Sequence, residues 1–145
     1  MFENITSLTN VNLQLFTGDI GSYCFNNCSS LKYAYVNNAS RILNNAFSDC
    51  TSLNKANFSS ATEVGDLAFN NCVELDGILN SDVLTIVGNS AFANCIRLTE
   101  INLPAATDIG PSAFAGAAIG GRLTFIDLRS VADPKLGGTS KDDFV

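Results

Sequence analysis

Phe25, Phe47, Phe69, Phe92 and Phe114 stand 22, 22, 23 and 22 residues apart, and each follows a small residue: Cys24, Ala46, Ala68, Ala91 or Ala113. Three residues beyond each Phe lies Cys28, Cys50, Cys72 or Cys95, with Ala117 in the last copy. Another three residues on comes Leu31, Leu53, Leu75 or Leu98, and Leu123 is the delayed equivalent. A unit this short cannot bury its own apolar side, so a repeat of this kind folds only by stacking on its neighbours.

Within a repeat, apolar residues at +3 and +5 from the Leu give Ala34 and Val36, Ala56 and Phe58, Ile101 and Leu103, and Ile126 and Leu128, with Leu8, Val11 and Leu13 as a partial first copy. That two-residue period predicts a short strand with one buried face. The expected strands lie near 11–13, 34–36, 56–58, 78–80, 101–103 and 126–128, paired in one parallel sheet. At ~4.8 Å per strand such a sheet is on the order of 25 Å long. Apolar steps of three follow, as in Val36, Ala39 and Ile42, and read as coil turning its apolar side inward. Ser22, Asn44, Asp66 and Asn89 are good helix N-caps. Asn27, Asp49, Asn71, Asn94 and Gly116 are the types that adopt a left-handed backbone and end a helix. The two signals predict one helical turn carrying each Ala-Phe pair inward.

The pattern is densest from Val87 to Pro104, where Gly88, Ala91, Phe92, Cys95, Leu98, Ile101 and Leu103 hold its fixed positions. It resembles the BspA-like (Treponema pallidum type) leucine-rich repeats, over residues 5 to about 131. The resemblance implies an α/β solenoid: a right-handed leucine-rich-repeat superhelix of about six 22–23-residue repeats, with a short parallel sheet on the concave face. It further implies a non-enzymatic protein- or glycan-binding module of a cell-surface or extracellular adhesion protein. Similar repeats in phage proteins supply the alternative, a structural component of a virion or surface assembly whose solenoid ends make the contacts.

Two departures from the pattern matter. The repeat after Leu75 is one residue longer and places Asn80 at an inward position, which predicts a bulge or register change near residues 78–86. The last copy has a three-residue excess at 117–121. Neither end carries an evident polar cap, so end-to-end contacts with further repeats or subunits are expected. The repeat domain is placed at 1–133 and a polar tail at 134–145.

Charge and residue types narrow the function. A net charge of −6 is the wrong sign for neutralising phosphates, which excludes nucleic acid as a natural partner. With no His, imidazole-based triads and the usual zinc sets disappear, and no catalytic, cofactor or metal site is expected. No apolar run approaches the ~18 residues of a membrane span, so no membrane insertion is expected. The start lacks the basic head and apolar stretch of a signal peptide, which leaves a cytosolic or virion location open beside the surface one. The cysteines read as a ladder of small buried hydrophobes. Only Cys24, four residues before Cys28, offers the alternative of a cross-link or a soft-metal pair.

Strand positions +2, +4 and +6 from the Leu point out of the core. The candidate ligand face is therefore Tyr33, Tyr35 and Asn37; Lys55 and Asn57; Leu79; Glu100 and Asn102; Phe125, Asp127 and Arg129. Aromatic rings beside adaptable Asn and Ser form the composition of a recognition surface.

Overall fold

The computed structural model describes residues 1–117, 119 and 122–130. The chain winds as a solenoid with two series of short parallel strands. The first series is β1 (Asn10–Asn12), β2 (Tyr33–Tyr35), β4 (Lys55–Asn57), β6 (Gly77–Asn80), β8 (Leu98–Asn102) and β10 (Phe125–Asp127). The second, interleaved with it, is β3 (Arg41–Ile42), β5 (Glu63–Val64), β7 (Ile86–Val87) and β9 (Asp108–Ile109). The six expected strands are thus present. The second series replaces the expected coil: Ile42, Val64, Val87 and Ile109 are buried one above another, and their backbones pair in register as β3-β5-β7-β9. A two-residue strand carries a single inward side chain, so it has no alternation to read.

The first series is not one sheet. It divides into β1-β2-β4 and β6-β8-β10, with no ladder between β4 and β6. Asn10, Tyr33 and Lys55 lie side by side, as do Asn12, Tyr35 and Asn57. On the other side Asn80, Asn102 and Asp127 align.

The expected helical turns are absent, and among the described residues the molecule contains no helix. The α/β description therefore gives way to a β-solenoid. The reason lies in the backbone around each Ala-Phe pair. Each such segment holds two non-helical residues four apart, for example Tyr23 (φ 58°) with Asn27 (φ 55°) and Leu67 (φ 56°) with Asn71 (φ 60°). Left-handed residues at this spacing leave no room for a helical run. Alternate N–H groups close local turns, as Cys50 does on Phe47 (3.2 Å), while those between reach the next repeat, as Phe47 does to Ala68 (2.8 Å). The predicted left-handed positions Asn27, Asp49, Asn71, Asn94 and Gly116 all have positive φ. The expected N-caps serve the stack instead: Asn44 Oδ1 accepts the Asp66 N–H (3.0 Å) and Asp66 Oδ1 accepts that of Asn89 (2.7 Å).

The core is a column of phenylalanines. Phe25, Phe47, Phe69, Phe92 and Phe114 are buried, with successive ring centroids 5.1, 5.2, 5.2 and 5.6 Å apart and planes within 14° of parallel. Beside it runs the cysteine ladder, in which Cys28, Cys50, Cys72 and Cys95 are free and buried. The thiols of Cys50, Cys72 and Cys95 donate to the carbonyls of Phe25, Phe47 and Phe69 at 3.1, 3.2 and 3.3 Å. Ala117 is buried in the corresponding place of the last described turn. Cys24 is half-buried and also free, so the cross-link alternative is not realised. The excess at 117–121 falls partly, and residues 131–133 and the tail at 134–145 fall wholly, outside the described residues.

The longer repeat carries the predicted irregularity, at Gly77/Ile78. Leu79 pairs with Ile101 and is buried, whereas Ile78 is 59% exposed. The extra residue precedes Leu79, at Gly77 with φ 97°, a value glycine adopts without steric cost. A one-residue slip exchanges the two faces of a strand. Leu79 is therefore a core residue and not part of the ligand face, and Asn80 faces outward rather than in. Ser81 then occupies the inward place held by Val36 and Phe58 in earlier repeats, and it is buried. Its Oγ accepts the Leu84 N–H (3.1 Å). Phe58, the inward residue of the preceding turn, has its ring 5.1 Å from Phe69 and reaches Phe92 in the turn of Ser81 at 6.3 Å.

Candidate binding face

Ladder pairing in the first series sets two outward columns side by side. One runs Asn10, Tyr33, Lys55 and the other Asn12, Tyr35, Asn57, with the inward Val11, Ala34 and Ala56 between them. Because Ala34 is small and fully buried, the two tyrosines flanking it stand on a close, even backbone. Their rings are 6.4 Å apart and within 5° of parallel. Tyr33 is 37% exposed and Tyr35 half-buried, so together they present a continuous apolar surface with polar tips. Lys55 and Asn57 are exposed beside them, and Asn57 Oδ1 accepts the Ser59 N–H (3.3 Å). Asn37 is half-buried, and its Oδ1 is buried with no hydrogen-bond partner.

The remaining members of the predicted face stand across the gap. Glu100 and Asn102 are half-buried on β8, and Asn102 Nδ2 donates to Asn80 Oδ1 (2.9 Å). Phe125 is 50% exposed on β10. Asp127 and Arg129 form an ion pair, and the guanidinium holds the Asp127 carboxyl below the usual carboxylate range. Arg129 is exposed and Asp127 half-buried, and a pair with one partner in solvent contributes little to stability.

The structure thus brings Tyr33, Tyr35, Asn37, Lys55 and Asn57 together on one half, and Glu100, Asn102, Phe125, Asp127 and Arg129 on the other. Leu79 is removed from the set. Between the halves lies a cleft of about 540 Å³, to which Ile78 and Asn80 contribute. Sequence reasoning missed these two residues. The signal was the extra residue beside Gly77, which says that the face is exchanged but not where the exchange begins.

At the rim of the cleft, Asp76 lies 3.5 Å from Arg97 and 3.9 Å from Arg122, and Arg97 also meets Glu74 at 2.7 Å. Among the described residues, no group of three or more Cys, Asp or Glu is arranged to hold a metal ion. No helix among them is long and apolar enough to cross a membrane.

Two solved structures share this architecture. A leucine-rich repeat protein from Bacteroides ovatus superposes with a TM-score of 0.71 at 26% identity, over 83% of this chain and 33% of its own. A leucine rich cell surface protein from Faecalibacterium prausnitzii gives 0.61 at 27%, over 86% of this chain and 41% of its own. The chain therefore spans well under half the length of either. No curated protein matches it. The model of the BspA type leucine rich repeat region matches residues 1–120 in six copies. With its Phe column, cysteine ladder and parallel strands β1 to β9 covered by that match, the chain belongs to the BspA-type leucine-rich repeat family.

Proposed function

We propose that the chain is a non-enzymatic recognition module whose ligand, a protein or a glycan, lies on the outward face of the first strand series and centres on Tyr33 and Tyr35. The observation that carries this reading is the parallel tyrosine pair, with Tyr33 exposed and Tyr35 half-buried. Two large rings 6.4 Å apart offer apolar area at little conformational cost, flanked by Lys55 and Asn57 as adaptable polar contacts. A cell-surface setting is supported by the Faecalibacterium protein, which is named as a cell surface protein.

The test uses a ligand captured from a glycan array or by pull-down with the intact chain. The Tyr33→Ala/Tyr35→Ala variant removes outward rings and leaves the Phe column in place, so it folds. Truncation of true anchors costs at least ~2 kcal/mol, roughly a 30-fold loss of affinity. Asp108→Ala, exposed on β9, serves as the control. Unchanged affinity in the tyrosine variant, with loss in the control, refutes the reading.

A further inference from the structure

At four junctions of the first strand series, the residue after the strand donates its N–H to the next strand. Leu13 bonds the Tyr35 carbonyl (2.7 Å), Val36 that of Asn57 (2.8 Å), Ser81 that of Asn102 (3.1 Å) and Leu103 that of Asp127 (2.9 Å). The fifth junction lacks this rung. By register it would join the Phe58 N–H to the Asn80 carbonyl, and no such bond forms. The opening is local. Below it the Asp76 N–H bonds the Asn54 carbonyl (3.0 Å), and beyond it the Thr85 N–H bonds that of Thr62 (2.9 Å). Its cause is the residue added before Leu79. The first bond of the junction forms, the chain takes the extra step at Gly77, and β6 runs on without pairing to β4.

Successive N–H and C=O groups of a parallel strand are shared between its two neighbours. Since β4 pairs on its far side with β2, and β6 with β8, the cleft receives the inner backbone edges of both. These edges comprise the N–H and C=O of Ala56 with the Phe58 N–H, facing the N–H and C=O of Ile78 and Asn80. Backbone groups away from bulk water require partners. The cleft's 540 Å³ falls within the roughly 300–1,000 Å³ of small-ligand sites. Its lining includes Tyr35 and Ile78, which offer apolar surface, and Asn57 and Asn80, which offer amides.

These features select the occupant. Both ends of the opening are tied by backbone bonds, so an extended peptide has no passage along it. A compact group is required, one that donates and accepts from the same atoms and also offers an apolar face. Asp76 in the lining is already paired with Arg97 and Arg122, which leaves Lys55 as a donor and the Asn57 and Asn80 amides as donors and acceptors for a ligand's hydroxyls. We propose that the cleft between β4 and β6 binds a neutral hexopyranose unit, its hydroxyls replacing the missing rung and its C–H face lying against Tyr35. This deepens the recognition reading above by naming the ligand chemistry, and it rests on that reading.

The experiment is amide NMR on the intact ¹⁵N-labelled protein. In the free protein the Phe58 amide exchanges with D₂O much faster than those of Val36, Ser81 and Leu103; equal protection overturns the proposal. Methyl glycosides of glucose, galactose, mannose and N-acetylglucosamine are then titrated in. For at least one, saturable shifts are expected at Ala56, Phe58, Ile78 and Asn80, with slowed exchange at Phe58. Asn80→Ala, an exposed substitution, weakens that binding by about tenfold. Shifts confined to Tyr33 and Lys55 overturn the cleft site but leave the tyrosine face standing. Absence of shifts with every glycoside, or shifts in the cleft only with an extended peptide, overturns the sugar assignment. Tyr35 belongs to the cleft lining and Tyr33 does not, so Tyr33→Ala alone separates the two readings: the cleft shifts persist in that variant, whereas their loss overturns the cleft site.

Discussion

Phe69→Ala should damage the aromatic column more than Phe25→Ala. Phe69 is fully buried, and its ring meets three others: Phe47 at 5.2 Å, Phe92 at 5.2 Å and Phe58 at 5.1 Å. Phe25 meets two, Phe47 at 5.1 Å and Phe2 at 5.5 Å, and Phe2 is 50% exposed. Truncating a buried Phe costs ~3–5 kcal/mol, and each well-placed ring pair contributes about 0.5–1.5 kcal/mol of that beyond simple burial. Phe69→Ala therefore belongs near ~5 kcal/mol and Phe25→Ala near ~3 kcal/mol. Position sharpens the difference, because Phe69 and Phe58 bridge the turns between which β4 and β6 are unpaired. With a urea slope of ~2 kcal/mol/M, the midpoints should fall by roughly 2.5 M and 1.5 M. Urea titrations followed by far-UV circular dichroism read both. Should Phe69→Ala fail to fold, the Phe69→Leu and Phe25→Leu pair must show the same order at smaller size. An equal or larger drop at Phe25 refutes the argument that the central rings hold the two halves together.

Two further outcomes follow from the ladders. Burial pushes the thiols of Cys50 and Cys95 up to about 12 from an ordinary value of 9.0, and that of Cys72 up as well. The unfolded chain loses these protons first, so it binds fewer than the native state, and stability must fall as pH rises from about 9 toward 12, by up to ~1.4 kcal/mol per pH unit for each thiol. Below the unfolded value this contribution is fully retained. Urea midpoints at rising pH measure the slope, which should shrink in Cys72→Ala; the same slope in that variant refutes the cause, as does rapid native labelling of the ladder by a thiol reagent. Gly88→Ala would set a Cβ 2.5 Å from the Asp66 nitrogen and 2.5 Å from the Gly65 carbonyl carbon, so the turns must separate at a cost of about 1–3 kcal/mol. Gly21→Ala meets nothing within 4 Å and is the matched control, so equal thermal midpoints for the two variants would show that close approach of the turns is not what requires glycine.

Much of the fold was legible because its strongest constraints recur. A Phe at a constant period can stack only if every turn has the same length, and the thiol three residues later then meets the carbonyl of the preceding repeat's Phe. The left-handed positions were equally readable, since Asn27, Asp49, Asn71 and Asn94 are the residue types that tolerate such a backbone. What misled was the meaning of those signals. A cap residue and a left-handed residue five apart bound a helical turn in an isolated segment. In a stack the same polar side chains find backbone partners one repeat away, as Asn44 and Asp66 do, and the helix has nothing left to offer. Tyr23 and Leu67 make the point from the other side: neither type favours positive φ, and only the hydrogen bonds of their N–H groups to Asn44 and Asn89, at 3.1 and 2.9 Å, hold them there.

The candidate site was legible only where the period holds. Tyr33, Tyr35, Lys55 and Asn57 face outward because their repeats carry the regular spacing from Leu to strand. Leu79 was misassigned by one residue, and the composition of the segment explains why. In Asp76-Gly77-Ile78-Leu79-Asn80-Ser81, either apolar residue suits the core, and the polar pair Asn80 and Ser81 penalises both registers by one buried polar group. The decision is made outside the segment. The Phe58 ring reaches into the turn of residue 81, as its 6.3 Å separation from Phe92 shows, and a small inward side chain leaves room for that reach. Ser81 meets that need and satisfies its own Oγ on the Leu84 N–H, whereas Asn80 in the core would have carried a larger amide against the Phe58 ring. The register therefore follows from packing between turns, and the same choice that buries Leu79 prevents β6 from pairing with β4. The break in the sheet and the chemistry of its cleft thus share one origin, the residue inserted at Gly77.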